Sequence, residues 1–548
     1  MKSLTGPLCI ILATALLAVS LPQAADASVD HNDITGSTTA HAVVVSHFES
    51  ALHDVAAGSV PPSMPDPLEL GTVFPPSRDV AAVERSQSLA SPRAATTLAT
   101  FNRSGIQPVM NARAPLPYEL KTPATKTTPV PSTAAGVPLR YLNGKAYDHP
   151  SNQAVWGIQQ LESYRLTGDD FYLDRAQAAG KHLLDTSVAS RGALWFPYPI
   201  DFVLAGDKSV LMRAPWYSAM AQGGVLSLFI RLWAVTGEQQ WRAAAVQTLA
   251  SLTLAPLAGQ PWVTHVDASG YLWLEEYPRD PEFRSERVLN GSIFALYGLH
   301  DYWRLAPAFT ETTAARALAV RFFDGGATTV DAYASRVFRA PGWISRYSLL
   351  HVIRNPYYHD VHTRQLLQLQ YLTAQSRFAQ AADLFRSDYP VASQPGSIFF
   401  AAGTHPAYKF DGAGGVTSSM SRRLPASSSA PNDERRRIRN HGIYYHMTKG
   451  AFQGWWVPEA WPSTYQRSIL LRHNYFPDRQ VRLQHGNWTA YQYDSFGTPT
   501  ARRSAYYASP TSAPASASAI IHGQLHLLIS RGRYAGCWLP VTPGVTLG

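Results

Sequence analysis

The chain has 548 residues, 45% of them hydrophobic and 11% aromatic, enough for two or three domains with a large core, which excludes a disordered polymer. A formal net charge of +9 points to anionic partners, with acidic polysaccharide, nucleic acid and membrane surface as the classes to separate. Two cysteines, Cys9 and Cys537, exclude a disulfide framework, and no zinc-finger spacing is present.

Residues 1–27 read as a signal peptide. Lys2 precedes an apolar run from Leu8 to Leu21, and Ala25-Asp26-Ala27 has the small-x-small form of a cleavage site. The expected consequence is export, to the medium, the cell surface or the periplasm. The run falls short of the roughly 20 apolar residues that a membrane span needs, and no later run is expected to reach that length. Residues 28–135 are rich in Ala, Ser, Thr and Pro with little periodicity, the pattern of a poorly ordered spacer.

An array of helical hairpins is expected over 136–390. Val155, Ile158, Leu161 and Leu166 form a helix-spaced apolar stripe, Thr167-Gly168-Asp169 interrupts it, and the pattern resumes from Tyr172 to Leu184. The unit returns as Val225 to Val235, Thr236-Gly237-Glu238 and Trp241 to Leu254. In both copies an aromatic follows the threonine by five positions (Tyr172, Trp241) and an alanine by nine (Ala176, Ala245). Further hairpins run from Gly291 to Phe323 and from Thr363 to Phe385. Loops such as Trp195-Phe196-Pro197-Tyr198 lie between them. Stacked hairpins with loops gathered at one end describe an α/α toroid, and periodicity alone equally allows an open α-solenoid.

Residues 400–548 change texture to short apolar runs with Gly, Pro and Ser. Gly403, Tyr408, Asp411 and Ser429-Ala430-Pro431 recur 83 positions on as Gly486, Tyr491, Asp494 and Ser512-Ala513-Pro514. After a one-residue slip, Gly450, Gly454, Trp456 and Pro458 recur 82 positions on as Gly532, Gly536, Trp538 and Pro540. This is one small module present twice, in copies at about 403–459 and 486–540, with strand-then-turn runs at Ile443 to Met447 and Leu525 to Ile529. Cys537 aligns with Trp455 and reads as a packing residue, not a nucleophile. The expected fold class is mainly α: a toroid-like helical-hairpin domain followed by a duplicated all-β module.

Chemistry-bearing residues concentrate in blocks where loops meet predicted helices. These are PWYSAMAQG (Pro215 to Gly223), LEEYP (Leu274 to Pro278), VLNG (Val288 to Gly291) and YHDVH (Tyr358 to His362). Taken in this order the blocks resemble the C-terminal helical domain of the D-glucuronyl C5-epimerases, which invert the carbon bearing the carboxylate in uronic acid residues of a polysaccharide. The resemblance covers roughly residues 140 to 385. The family carries β-structured domains ahead of the helical one, and this sequence shows no counterpart.

C5 inversion removes a weakly acidic proton and returns one to the opposite face of the ring, so it needs acid/base groups on both sides and stabilisation of the enolate-like charge. A phenol, with an ordinary pKa of about 10, is a ready donor and becomes a base only with help from its surroundings. The resemblance implies Tyr277 and Tyr358 as the facing acid/base pair, Glu276 as the group that orients or shuttles a proton, and Tyr347 as a third site tyrosine. It implies Gln222 and Asn290 as holders of hydroxyls or the carboxylate, with His359 and His362 beside the substrate. Where the family has a carboxylate-binding arginine this sequence has Leu350, so Arg346 or Arg354 is the expected substitute. His359 and His362 with Asp360 lack a third firm metal ligand, and the reading calls for no metal and no cofactor.

The function expected is an exported uronosyl C5-epimerase-like isomerase acting on an acidic polysaccharide, with no nucleic-acid partner and a cell-surface glycan as the ligand of the β module. Its rivals are a polysaccharide lyase, which starts with the same proton abstraction, and a non-catalytic glycan-binding surface protein.

Overall fold

Helix ends show the first repeat most directly. The computed structural model describes residues 97–548 apart from residue 143 and the segments 205–210, 280–283, 307–309, 351–353 and 391–392. The expected signal peptide, and the expected spacer up to residue 96, lie outside the described residues. Gly168 links α1 (Pro150–Thr167) to α2 (Asp170–Asp185), and Gly237 links α3 (Ala219–Thr236) to α4 (Gln239–Ser251). Both glycines are left-handed, φ 68° and 71°, and each returns its N–H to the helix it ends, at the carbonyls of Tyr164 and Trp233. The preceding threonines donate to carbonyls one turn back, Thr167 to Ser163 at 2.7 Å and Thr236 to Leu232 at 2.9 Å. Tyr172, Trp241, Ala176 and Ala245 are all buried.

A third pair follows, α5 (Leu289–Leu305) and α6 (Thr310–Tyr333). Helices α1, α3 and α5 lie side by side, and α2, α4 and α6 back them. At the α3–α5 crossing the backbones touch: a Cβ on Gly298 would stand 2.3 Å from the carbonyl oxygen of Gly223. Helix α3 is long and apolar enough to cross a membrane, against the expectation that no later segment would be, but 78% of it is buried as a core helix is. The expectation required an unbroken apolar run, whereas α3 carries Arg231. That guanidinium binds Asp301 of α5 at 2.9 Å, Glu162 of α1 at 2.8 Å and the Pro117 carbonyl at 2.9 Å.

Residues 97–135, expected to be a loose spacer, are packed. Leu98 N–H donates to the Thr253 carbonyl at 2.9 Å, Ile106 N–H to Asp324 at 2.8 Å and Ala124 N–H to Ser163 Oγ at 2.8 Å, while Tyr118 is buried edge-on to Tyr297. The strap owes its order to groups on the helices, so its own sequence carries little sign of it.

The chain divides into two compact units, one ending at Phe338 and including Arg346–Asn355, the other formed by Arg339–Ser345 and Pro356–Gly548. The second contains α7 (Pro356–Thr373), α8 (Ser376–Asp388) and two seven-stranded antiparallel sheets. The strands of the first sheet are β1 (Ser393–Phe400), β2 (Gly403–Phe410), β3 (Val416–Leu424), β4 (Ser428–Arg437), β5 (Ile443–Met447), β6 (Trp456–Pro458) and β7 (Thr464–Gln466). Those of the second are β8 (Ile469–Leu483), β9 (Gly486–Tyr493), β10 (Pro499–Tyr507), β11 (Thr511–Ile521), β12 (Gln524–Ile529), β13 (Trp538–Pro540) and β14 (Val545–Leu547).

The first sheet runs β3-β2-β6-β5-β4-β1-β7, and the second runs β10-β9-β13-β12-β11-β8-β14, the same order strand for strand. Tyr408 pairs with Trp456 and Tyr491 with Trp538. The slip of one residue falls in the β4–β5 hairpin: five residues separate paired Arg437 and Ile443, and four separate Ile520 and Leu525. The cores correspond side chain by side chain, with Ile398, Phe400, Ala407, Tyr445, Met447, Phe452 and Val457 matched by Val481, Leu483, Ala490, Leu527, Ile529, Tyr534 and Leu539. Cys537 is buried in the second core, where the first copy packs Trp455.

Among the described residues helix makes up 34% and strand 32%, so the fold is mixed, not mainly α. Most of the strand lies in the duplicated module expected to be all-β, and short hairpins between the helices add to it, so the α array does not outweigh the sheets. Several helix pairs are present as expected, and a closed toroid is not shown among the described residues.

Candidate active site

The LEEYP block is clamped between the first turns of two helices. A hairpin of Thr264–Val266 and Leu272–Leu274 delivers it. The Glu275 carbonyl then accepts from Ala219 N–H of α3 at 2.7 Å, and the Leu274 carbonyl accepts from Ser292 Oγ of α5 at 2.7 Å. The side chain of Glu276 lies against the start of α5, where the absence of a side chain at Gly291 makes room: a Cβ there would be 2.3 Å from Glu276 Oε2 and 2.6 Å from its Cβ.

Tyr347 reaches the same place along a separate path. Ser348 bridges to Val288, and Leu349 N–H donates to the Glu286 carbonyl at 2.9 Å, which lays the segment against the entry to α5. Tyr347 Oη then donates to Glu276 Oε1 at 3.1 Å and lies 3.3 Å from Tyr277 Oη, while Asn290 Nδ2 donates to Glu276 Oε2 at 3.4 Å. All four residues are buried, Glu276 to 3% exposure. Burial pushes the Glu276 carboxyl up to about 7, with the hydrogen bonds of Tyr277 and Tyr347 pulling the other way. A carboxyl poised near neutrality and bonded to phenols can take and return a proton.

An aromatic wall backs this cluster. The Tyr277 ring stacks on Phe202 (5.7 Å, 18°) and tilts against Trp216 (5.9 Å, 40°), and Trp216 stacks flat on Tyr198 (3.9 Å, 6°). Tyr198 is held by Ser151 Oγ at 2.7 Å, and burial raises its phenol above its ordinary range. The wall was not assigned to the site from sequence, although Tyr198 ends the Trp195-Phe196-Pro197-Tyr198 loop and Trp216 lies within PWYSAMAQG.

Other candidates stand elsewhere or are otherwise engaged. Gln222 is fully buried, its oxygen accepting from Phe196 N–H at 3.0 Å and its nitrogen donating to the Leu194 carbonyl at 2.8 Å, so it sews α3 to a hairpin. His359 and His362 belong to the second unit and anchor Ser345: His359 Nδ1 accepts from Ser345 N–H at 2.9 Å, and His362 Nδ1 lies 3.0 Å from Ser345 Oγ. His359 also places Nε2 2.9 Å from the Phe385 carbonyl and stacks on the Phe385 ring. Burial pushes the His359 imidazole down to about 4 and that of His362 well below its ordinary value, so both rings are neutral at pH 7. Both ring nitrogens of His359 are engaged, whereas His362 is bonded at Nδ1 and its buried Nε2 has no hydrogen-bond partner among the described residues. Tyr358 sits, half-buried, in the first turn of α7 in the second unit. Arg346 and Arg354 are buried in the first unit and joined through their main chains by an antiparallel bridge.

Residues 191–387 match the family described as D-glucuronyl C5-epimerase C-terminus. This stretch contains the whole Glu276, Tyr277, Asn290 and Tyr347 cluster. Over 107 residues the chain is 31% identical to a D-glucuronyl C5-epimerase of Caenorhabditis elegans, a match that covers 20% of this chain and 16% of that protein. Among solved structures, cellobiose 2-epimerase from Bacillus thermoamylovorans B4167 is 13% identical with a TM-score of 0.31, over 44% of this chain and 59% of that one. The Lin0763 protein from Listeria innocua is 12% identical with a TM-score of 0.30, over 43% and 58%.

Proposed function

We propose that this protein is an exported uronosyl C5-epimerase-like enzyme that inverts C5 of uronic acid residues in an acidic polysaccharide, with its helix pairs forming part of an α/α toroid. The observation that carries this reading is the buried chain of hydrogen bonds Tyr277–Tyr347–Glu276, inside the stretch that matches the epimerase family. In this mechanism Tyr277 oxygen takes the C5 proton while its own proton passes to Tyr347 and that of Tyr347 passes to the Glu276 carboxylate. The electron pair left on C5 delocalises into the substrate carboxylate, for which Arg346 and Arg354 are the candidate counter-charges. The two phenol oxygens, 3.3 Å apart, are too close together to stand on opposite faces of a sugar ring, so they serve one face. Return of a proton to the other face requires a second acid/base group.

Incubation of the protein with a glucuronate polymer in deuterated water tests this. Deuterium at C5 without new unsaturation is the expected result. Ultraviolet-absorbing unsaturated ends would instead make the protein a lyase. No exchange with any uronan, together with polymer binding unchanged in Tyr277→Phe and Tyr358→Phe, would make it a non-catalytic binder.

A further inference from the structure

The duplicated sheets separate scaffold from surplus. Where both copies need a residue for packing, both have one of matching burial, as the paired cores show. A large side chain present in one copy, exposed, and replaced by a small one in the other is not explained by the module's own folding. Two aromatics meet this description, and they lie together.

The first is Phe496. In each copy an aspartate folds the β2–β3 or β9–β10 turn in the same way: Asp411 Oδ1 accepts from Ala413 N–H at 2.9 Å, and Asp494 Oδ1 accepts from Phe496 N–H at 2.9 Å. The turn tolerates alanine at that position in the first copy, whereas in the second it holds a phenylalanine that is 66% exposed. The second is Trp461, on the turn between β6 and β7, where Ser463 N–H donates to the Ala460 carbonyl at 2.8 Å. The corresponding turn after β13, Val541-Thr542-Pro543-Gly544, has no aromatic.

Trp461 is 52% exposed, yet its orientation is held. Its indole stacks flat on His522 (4.2 Å, 4°), and Tyr465 meets both rings edge-on at 4.7 and 4.8 Å. The turn bearing Phe496 closes on the same imidazole, since a Cβ on Gly497 would lie 3.3 Å from His522 Nε2. A line of rings continues from Tyr465 to Phe399 at 5.0 Å, over which the exposed guanidinium of Arg467 lies at 4.9 Å. A flat, preorganised indole suits the C–H face of a pyranose and binds it with little ordering cost, and a cation a short way along suits a carboxylate on the same polymer.

We infer that Trp461, Phe496 and Arg467 form a binding platform for an anionic polysaccharide, with a sugar ring stacked on Trp461 and a uronate carboxylate at Arg467. The ligand class rests on the proposed function, and the residues are independent of it. The net charge of +9 favours a polyanion over a neutral glycan. The test uses the intact protein with a 4-linked glucuronan and, as a neutral probe, a 4-linked glucan, by calorimetry and tryptophan fluorescence. Expected are glucuronan binding weakened at least tenfold by Trp461→Ala, three- to tenfold by Phe496→Ala, and a reduced salt dependence in Arg467→Ala. C5 exchange and glucuronan affinity are measured on the same aromatic variants, so that loss of turnover and loss of the platform are read separately. Binding within twofold of the unaltered protein in both aromatic variants, or equal affinity for the neutral glucan, overturns the inference even if C5 exchange is found. If no exchange is found and the aromatic variants still lose binding, the platform stands and the reaction falls.

Discussion

Tyr347 donates its phenol hydrogen to Glu276 across 3.1 Å, although 71 residues separate them in sequence. The bond closes one wall of the cluster, and its loss has two separable effects. Tyr347→Phe removes a hydrogen bond that pulls the Glu276 pKa down, so the carboxyl should titrate still higher than about 7. In the proposed mechanism it also removes the relay through Tyr347, leaving only the bond of Tyr277 to Glu276. The expected loss is about 10²- to 10⁴-fold in C5 exchange, with a stability cost of about 1–3 kcal/mol for the buried acceptor left short of a donor. Deuterium incorporation and urea denaturation on the same preparation measure the two. Retention of full exchange would remove Tyr347 from the relay.

Glu276 itself makes stability depend on pH in an unusual direction. Its pKa rises from an ordinary 4.5 to about 7 on folding, so the folded state holds the proton more tightly than the unfolded chain. The associated stability is therefore complete below pH 4.5 and is lost as pH climbs through about 7. The whole change is about 3 kcal/mol. Glu276→Gln should flatten this slope and be the more stable form at pH 8, while losing C5 exchange. Denaturation midpoints taken between pH 5 and pH 8 decide the point, and parallel slopes for the two proteins would refute it.

The duplicated module was legible because its markers, Gly403, Tyr408 and Trp456 with their repeats, are packing and turn residues that any copy of the sheet must keep. The helix pairs were legible for the same reason, through Thr167-Gly168 and Thr236-Gly237. Tyr277, Tyr347, Glu276 and Asn290 were found together only through a family resemblance, since nothing in their spacing brings residue 347 to residue 276. Gln222 and His359 shared those motifs but bond to main chain, and His362 bonds to the Ser345 hydroxyl, so a motif does not distinguish a residue that touches substrate from one that holds the loop. The strap at 97–135 was missed because its partners lie on Ser163, Thr253 and Asp324, outside its own pattern.

Glycine at 291 is required by the carboxylate it faces, and glycine at 298 by a neighbouring backbone. In Gly291→Ala the new methyl would sit 2.3 Å from Glu276 Oε2, so the carboxylate must swing away or the helix start must shift. Displacement by about 1 Å is expected to cost about 10²-fold in exchange. In Gly298→Ala the methyl meets the Gly223 carbonyl oxygen at 2.3 Å and its Cα at 2.8 Å, which only a separation of α3 and α5 can relieve. That variant should lose about 3 kcal/mol or more of stability. Comparing turnover at a temperature where both are folded with their melting midpoints separates the two effects, and equal losses in both readouts would show that Gly291 has no specific tie to Glu276.

In the second unit the buried anchor between helix and sheet is Asp383 of α8. Its Oδ2 accepts from Tyr475 Oη at 2.6 Å and Arg479 Nη1 at 2.7 Å, both on β8, and its Oδ1 accepts from Arg386 at 3.0 Å and Ser518 of β11 at 3.3 Å. Burial by itself would raise this carboxyl, but His473 and the two guanidiniums outweigh it and hold the group well below the usual carboxylate range. The sign is opposite to that of Glu276: the stabilisation is present above the ordinary carboxylate pKa of 3.8 and disappears as pH falls below it. Asp383→Asn leaves two buried guanidiniums without a counter-charge and should cost about 3–5 kcal/mol. Adding Arg479→Met removes one of the stranded charges and should recover part of that loss. A double variant no more stable than Asp383→Asn alone would mean that the carboxylate contributes through its bonds to Tyr475 and Ser518, not through charge.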